Sequence, residues 1–344
     1  MRSPLIQVLA ATLLLAAGAL ALSRRLAAPA PEAEAPVPAP AAPVASPPSP
    51  SPAHAVAFMS TRAGNADIFL MKEDGSDPIR LTDSPRADAL PSWSPDGRRI
   101  AFASARDGNL EIYVMQADGS SQTRLTREPA ADTEPVWSPR GDRIVFVSLR
   151  HGKQDLYLMN PDGSEVIRLT DHPADDSDPV WSPDATQIAF SSARDGYREI
   201  YTLELASGRT RRLTHDEFTD QHPAWSPDGA TIAFFRSFGR NTEIYRMKAD
   251  GSQQVRLTNE PAYDGYPTWS PDGDQILFTS KRDGNLELYL MKPDGSEQRR
   301  LTHTTAREYG TSWRNGAVQR EAAGREGRAT RRGREPGEGA GNRP

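Results

Sequence analysis

The 344-residue chain contains no cysteine, and this absence removes several classes of protein at once. Disulfide-stapled folds, thiolate metal sites, cysteine nucleophiles and lipid attachment to an N-terminal cysteine are all excluded. Basic side chains are also in the minority, with 41 Lys and Arg against 46 Asp and Glu, for a net charge of −5. Nucleic-acid binding, which needs a basic footprint, is therefore not expected.

Long apolar runs are scarce, with one exception near the N-terminus. Arg2 precedes an apolar stretch over residues 5–22, which predicts an export signal in residues 1–23. The stretch is long enough to span a membrane, so a retained anchor is an equal alternative to a cleaved signal peptide. Residues 24–53 are rich in Ala and Pro and predict an extended linker, whereas residues 317–344 predict a disordered basic tail.

Tryptophan is rare but strictly spaced, at intervals of 44 residues: Trp93, Trp137, Trp181, Trp225, Trp269 and Trp313. Five of the six stand in a Pro-x-Trp-Ser-Pro motif, and an Arg-Leu-Thr motif recurs at the same interval. A period of about 40–45 residues is typical of a β-propeller blade. The tryptophans are expected to pack between neighbouring blades.

The repeat that starts at Asp88 illustrates one blade. It predicts a short inner strand over 91–94 and further strands over 99–104, 111–115 and 123–126, separated by Asp-Gly turns. The first repeat has no inner strand before it, and Trp313 has no second strand after it. The sequence therefore predicts an all-β, six-bladed propeller of four-stranded antiparallel blades over residues 54–316, closed when the C-terminal strand joins the first blade.

The order of motifs within each repeat is specific: Pro-x-Trp-Ser-Pro-Asp-Gly, Ile-Ala-Phe, Ser-x-Arg-Asp-Gly-Asn, Glu-Ile-Tyr, Asp-Gly-Ser and Arg-Leu-Thr. This string resembles the propeller of the TolB family and covers residues 54–316. The resemblance implies a periplasmic propeller that binds other proteins. TolB proteins also carry a mixed α/β domain ahead of the propeller, and here a Pro-rich linker stands in its place.

An acidic residue lies five positions before each tryptophan: Asp88, Asp132, Asp176, Asp220, Asp264 and Glu308. We expect this acidic ring in the connections that lead into the inner strands, where Asp commonly caps a turn. The alternative is a ring of carboxylates at one mouth of the central channel, able to hold a hard cation such as Ca²⁺. No other cofactor and no metal-binding motif is predicted.

Next to the acids the repeats differ from one another. Three positions before the tryptophans the chain carries Leu90, Glu134, Asp178, His222, Tyr266 and Gly310, and the preceding positions include Gln221 and Tyr309. These residues adjoin the inner strands, so Glu134, Asp178, His222, Tyr266, Gln221 and Tyr309 are predicted to form a binding site at the channel mouth. Ordinary loop variability is the alternative.

Five hairpins between the second and third strands carry an arginine: Arg62, Arg106, Arg150, Arg194 and Arg282. Each has an acid five residues later, which predicts a weak ion pair at the rim. In the fifth repeat Phe238 replaces the arginine, and Arg236 is expected to pair with Glu243 instead. This unusual hairpin, residues 235–240, is a second candidate for partner contact.

Two functions remain open. The first is a monomeric scaffold outside the cytoplasm that binds a protein or peptide partner and has no catalytic residues; residues 54–316 carry −9, since the two ends carry +1 and +3. The second is a carbohydrate- or peptide-acting propeller enzyme, such as a metal-dependent lyase or hydrolase, or its regulatory domain. Catalytic motifs such as Gly-x-Ser-x-Gly, a phosphate loop or a zinc signature do not occur in the chain, which favours the scaffold.

The apolar stretch makes the first testable prediction, which concerns export. A fusion of residues 1–53 to a reporter that is active only outside the cytoplasm should give signal, because the apolar segment directs the chain into the export pathway. The same fusion without residues 5–22 is the control and should be silent. A silent parent fusion retained in the cytoplasm would contradict the prediction.

Overall fold

The propeller is closed and regular. The computed structural model describes residues 54–314, which form six four-stranded antiparallel sheets arranged in a ring. The predicted fold is confirmed, and residues 54–314 contain no helix. Accordingly, the described part of the chain offers no helix of the length and apolarity that crossing a membrane requires. The predicted signal or anchor (1–23), linker (24–53) and tail (317–344) lie outside the described residues.

Each blade runs from an inner strand at the channel to a short outer strand. Blade 1 combines the last strand of the chain with the first three: β24 (Glu308–Trp313), β1 (His54–Ser60), β2 (Asp67–Lys72) and β3 (Ile79–Arg80). The other blades each use four consecutive strands. Blade 2 has β4 (Asp88–Trp93), β5 (Arg99–Ser104), β6 (Glu111–Gln116) and β7 (Thr123–Arg124); blade 3 has β8 (Asp132–Trp137), β9 (Ile144–Ser148), β10 (Asp155–Met159) and β11 (Ile167–Arg168).

The remaining three blades follow the same plan. Blade 4 has β12 (Asp176–Trp181), β13 (Gln187–Asp195), β14 (Tyr197–Glu204) and β15 (Thr210–Arg212); blade 5 has β16 (Thr219–Trp225), β17 (Thr231–Phe238), β18 (Asn241–Lys248) and β19 (Val255–Arg256); blade 6 has β20 (Asp264–Trp269), β21 (Ile276–Ser280), β22 (Glu287–Met291) and β23 (Arg299–Arg300). The second-to-third-strand hairpins lie on one face of the ring, the hairpin face. The Ser-Pro turns that follow the tryptophans lie on the opposite face, the turn face.

The tryptophans pack between blades, as predicted. Trp93 of blade 2 is buried in one cluster with Leu70 and Leu81 of blade 1 and with Phe102 of its own blade. Stacking is what buries both faces of each sheet, because a single blade has apolar side chains on both. Truncating such a tryptophan typically costs about 3–5 kcal/mol of stability.

Closure of the ring depends on β24. In its register with β1, Trp313 lies opposite Val56 and Glu308 lies opposite Ser60, which confirms the predicted pairing of the chain ends. Trp313 also packs in a cluster with Leu277 and Leu290 of blade 6. One strand thus completes the first blade and joins it to the last.

Truncation tests this closure. Deleting residues 308–344 should lower the free energy of unfolding by at least about 3–5 kcal/mol, the typical loss for the Trp313 side chain alone. Deleting residues 318–344 is the matched control and should leave it nearly unchanged. Urea unfolding followed by fluorescence measures both. Equal stability of the two truncated chains would contradict closure by β24.

Candidate functional site at the central channel

Every inner strand is interrupted by a bulge three residues before its tryptophan. The pairing register between the inner and second strands shifts across this position in all six blades. The residue there has a left-handed backbone, with φ between 51° and 63°: Leu90, Glu134, Asp178, His222, Tyr266 and Gly310. Glycine adopts this conformation without strain, and other residues do so at a cost. Five blades nevertheless carry a side chain at the bulge.

The bulge residues line the central channel. Together with the following residues of the inner strands, they surround a cavity of about 300 Å³. All four predicted mouth residues at the bulge, Glu134, Asp178, His222 and Tyr266, are among its walls. The other two predicted residues, Gln221 and Tyr309, lie one position before the bulge and do not line the cavity. The ring of Tyr309 is nevertheless 6.1 Å from the ring of Tyr266.

One side of the channel is acidic. Glu134 Oε2 accepts a hydrogen bond of 2.7 Å from the backbone N–H of Asp178, and Asp178 Oδ1 lies 3.1 Å from His222 Nε2. Burial, and then the charge of Asp178, raise the pKa of Glu134 well above its ordinary value. Burial lowers the pKa of His222, with Asp178 opposing the shift. A protonated Glu134 and a neutral His222 thus flank Asp178 near neutral pH.

The other side is aromatic. The rings of His222 and Tyr266 are 4.2 Å apart, and Phe235 lies 5.4 Å from His222. Phe235 was expected in the unusual hairpin, and the structure places it in this aromatic cluster. Aromatic pairs at such distances stabilise a protein by about 0.5–1.5 kcal/mol beyond the effect of their burial, so these rings hold one another in place on this side of the channel.

Sequence reasoning missed Tyr263, whose ring lies 6.2 Å from Phe235 and 6.4 Å from Tyr266. Its hydroxyl is buried and has no hydrogen-bond partner within residues 54–314. Gly265 makes the space, because a Cβ there would lie 2.1 Å from that hydroxyl. Only in this blade is the residue before the bulge a glycine, and this glycine is the feature of the sequence from which the buried position of Tyr263 could have been inferred.

The acidic ring is not an open set of carboxylates. Each of its six residues lies at the beginning of an inner strand, and not in the connection before it, where a turn cap was expected. All six side chains are fully buried, and none of them lines the cavity. Each forms an ion pair within its own blade, and the pairs are Arg106–Asp88, Arg150–Asp132, Arg194–Asp176, Arg236–Asp220, Arg282–Asp264 and Arg62–Glu308. Burial raises the pKa of Asp264 to about 6, and Arg282 opposes the rise.

The predicted partners of the hairpin arginines were therefore wrong. The acids five residues after them bind the arginines of the Arg-Leu-Thr motifs instead, as in Arg124–Glu111 at 2.7 Å and Arg300–Glu287 at 3.0 Å. In blade 5, Arg236 pairs with Asp220 rather than Glu243, and Glu243 binds Arg256. These acids are also fully buried, so the pairs are not weak contacts of an exposed rim.

One group of carboxylates could in principle hold a metal ion. Oxygen atoms of Glu199, Asp216 and Asp220 lie within 4.8 Å of one another. Arg212 binds Glu199, however, and Arg236 binds both Asp216 and Asp220. These arginines already neutralise most of the negative charge that would attract a cation. The Ca²⁺ site suggested for the acidic ring stays a prediction.

Solved structures with this fold include TolB proteins and enzymes. TolB from Acinetobacter baumannii has a TM-score of 0.69 at 23% identity, covering 77% of this chain and 68% of its own. A putative TolB from Agrobacterium tumefaciens has a TM-score of 0.62 at 25% identity, covering 74% and 90%. An oligogalacturonate lyase in complex with manganese has a TM-score of 0.51 at 18% identity, covering 72% of each chain.

No curated protein sequence matches the chain significantly. The family model for the TolB beta propeller domain, in contrast, matches residues 39–151, 132–237 and 217–318. These matches span more than half of the chain and all six blades. The chain belongs to the TolB beta propeller domain family.

Proposed function

We propose that this chain is an exported scaffold of the cell envelope that binds a segment of another protein at the mouth of its central channel. The observation that carries the proposal is the left-handed position in each inner strand. Gly310 shows that the fold accepts glycine there, the residue with least strain. Glu134, Asp178, His222 and Tyr266 are unlike one another and converge on one cavity, which is expected of a binding site rather than of packing.

The two sides of the cavity define the chemistry of the segment. Asp178 attracts a positive charge, and Glu134 adds to this attraction once its carboxyl is ionised, whereas Tyr266 and His222 offer ring faces for apolar or cation–π contact. A cavity of about 300 Å³ accommodates a few side chains and not a folded domain. We therefore propose a peptide segment that presents Lys, Arg or an amino terminus beside an apolar residue.

Two long hairpins extend the hairpin face of blades 4 and 5, the face at which the inner strands begin. The paired strands β13–β14 and β17–β18 have eight or nine residues each, against five to seven in the corresponding strands of the other blades. Tyr197 in the first hairpin is 52% exposed, and Phe218, which packs against Phe238 of the second, is 43% exposed. Exposed aromatic side chains are enriched at protein interfaces, so blades 4 and 5 supply the remainder of the proposed contact.

Acid–base chemistry is the second candidate. The raised pKa of Glu134 beside Asp178 and His222 is the kind of arrangement found in enzymes that protonate a substrate, and it favours a carbohydrate- or peptide-acting enzyme. Turnover of an oligosaccharide or peptide that disappears in Glu134→Gln would favour this function. Binding of an unmodified peptide segment that persists in Glu134→Gln would favour the scaffold.

Glycine substitutions at the bulge separate binding from folding. The partner is first captured from envelope extract with the full chain, identified, and measured again as a purified protein. Asp178→Gly and Tyr266→Gly should then weaken its binding at least about tenfold, as expected for central contact residues. For Asp178→Gly the free energy of unfolding should stay within about 1 kcal/mol of the parent, because glycine tolerates a positive φ. Tyr266→Gly also loses the contacts of its ring with four others and should cost more, so its binding is measured at a temperature where thermal unfolding shows the variant folded.

Ser121→Gly is the matched control, since it makes the same change at a residue with a φ of 54° in an outer turn of blade 2, outside the channel cavity. It should leave binding close to that of the parent. If Asp178→Gly and Tyr266→Gly also bind like the parent, the interface lies elsewhere, and hairpin 235–240 becomes the next surface to test.

The same site makes binding depend on pH. Burial raises the pKa of Glu134 to about 8, so its carboxyl gains negative charge as the pH rises from about 7 to about 9. Affinity for a basic segment should therefore increase over that window. Burial lowers the pKa of His222 and raises that of Tyr266, so neither ring changes charge there. Calorimetry on Glu134→Gln should show a flat profile, and a profile equal to that of the parent would contradict the assignment.

A further inference from the structure

A second cavity opens on the turn face between blades 4 and 5, away from the channel mouth. Its volume is about 700 Å³, within the range of small-molecule sites. Thr202, Arg209 and Arg211 of blade 4 form one wall, and Trp225 and Asp250 of blade 5 form another. It shares Trp225 with the walls of the channel cavity, whereas Thr202, Arg209, Arg211 and Asp250 line this cavity alone.

The cavity exists because this junction lacks apolar filling that other junctions have. At the position of Thr202 the other blades carry Leu70, Val114, Leu158, Arg246 and Leu290, and at the position of Arg211 they carry Ile79, Thr123, Ile167, Val255 and Arg299. Between blades 1 and 2, Leu70 and Ile79 pack in or against a cluster of nine buried residues. The cluster between blades 4 and 5 has only five. At this junction the polar side chains of Thr202 and Arg211 stand where blade 1 has apolar core residues.

The neighbouring turn differs as well. Five blades use an Asp-Gly-Ser turn followed by a residue with positive φ, whereas blade 4 has Ala206-Ser207-Gly208 followed by Arg209, which does not adopt that backbone. The turn is wider, since the N–H of Glu204 donates to the carbonyl of Arg209. The corresponding bond of blade 1 joins Lys72 to Ser76, one position closer. The change places Arg209 in the cavity wall.

Trp225 supplies the cavity with an aromatic surface. The indole N–H groups of Trp181 and Trp269 donate to carbonyls of the preceding blade, at 3.2 and 3.1 Å. The N–H of Trp225 is buried without a partner within residues 54–314, as are those of Trp93, Trp137 and Trp313, so this donor is not specific to the cavity. The Trp225 ring is only partly buried, and its exposed part gives the cavity an apolar face.

The polar groups around Trp225 include both arginines, which donate hydrogen bonds, and carboxylates, which accept them. Arg211 donates to the backbone carbonyl of Asp250 at 2.9 Å, across the boundary between the blades. Hydrogen bonds from Ser226 and Ser252 lower the pKa values of Asp228 and Asp250, so these acids remain ionised. The lining carries four acidic residues, Asp184, Glu204, Asp228 and Asp250, against two arginines, so its excess of negative charge disfavours an anionic ligand.

We propose that this cavity binds a neutral carbohydrate of one or two sugar rings. Sugar hydroxyls both donate and accept hydrogen bonds, so they match a wall that contains guanidinium, carboxylate and hydroxyl groups. The flat C–H face of a sugar ring matches the partly exposed indole of Trp225. An apolar ligand would leave this polar lining unpaired, and an anionic ligand would be repelled by its excess of carboxylates.

Calorimetry on the full chain tests the proposal with three probes: methyl glucoside, maltose and the N-acetylglucosamine dimer. At least one should bind with a Kd of about 10 mM or tighter. Sorbitol, which has similar hydroxyls but no ring, should not bind. Thr202→Leu and Arg211→Ile should each weaken binding at least about tenfold, because they restore the apolar filling of blade 1.

These two variants carry residues that other blades accept at the same positions, so they should fold, and thermal unfolding checks this. Arg299→Ile makes the Arg211 change in blade 6 and is the matched control, with binding equal to the parent. Three findings would overturn the proposal: no binding of any of the three sugars, binding that survives both filling variants, or preference for galacturonate over the neutral sugars.

Discussion

The rest of the structure depends on the pairing of buried charges at the hairpin face. Each blade buries two carboxylates completely, and an arginine of the same blade reaches each one. A buried ion that loses its partner destabilises a protein by about 3–5 kcal/mol, so these acids and arginines must be brought together for the blade to form. The pairs fasten the hairpin to the start of the inner strand. The bulge, two residues further along, is thereby held over the channel.

Blade 5 shows how strict this requirement is. Phe238 occupies the usual position of the arginine, but Arg236 stands two residues earlier on the same strand and faces Asp220 directly in the ladder. Residues two apart lie on the same face of a strand, so the substitution preserves the pair while freeing the hairpin tip. The tip can then carry aromatic side chains, and Phe238 packs there against Phe218.

The features that the repeats alone determine could be predicted from the sequence. The ion pairs could not, because each hairpin arginine has two acids within reach. The 44-residue spacing of the tryptophans was enough for the blade count, the packing role of Trp93 and the closure by Trp313. Arg106, by contrast, has Glu111 five residues ahead and Asp88 eighteen residues behind. Only the three-dimensional path of the chain decides between them. The left-handed bulge could not be predicted either, because Glu134 and Tyr266 are residue types that rarely adopt a positive φ.

Closure by the last strand has a kinetic consequence. Ser60 pairs with Glu308 across 248 residues, so the ring has its longest loop to close at its final step. Until residues 308–313 arrive, the first blade has a free inner edge that other chains can pair with, and slow, non-local pairing prolongs that exposure. Five blades can assemble in sequence from local hairpins, but the cooperative, fully closed state forms only after synthesis has passed Trp313.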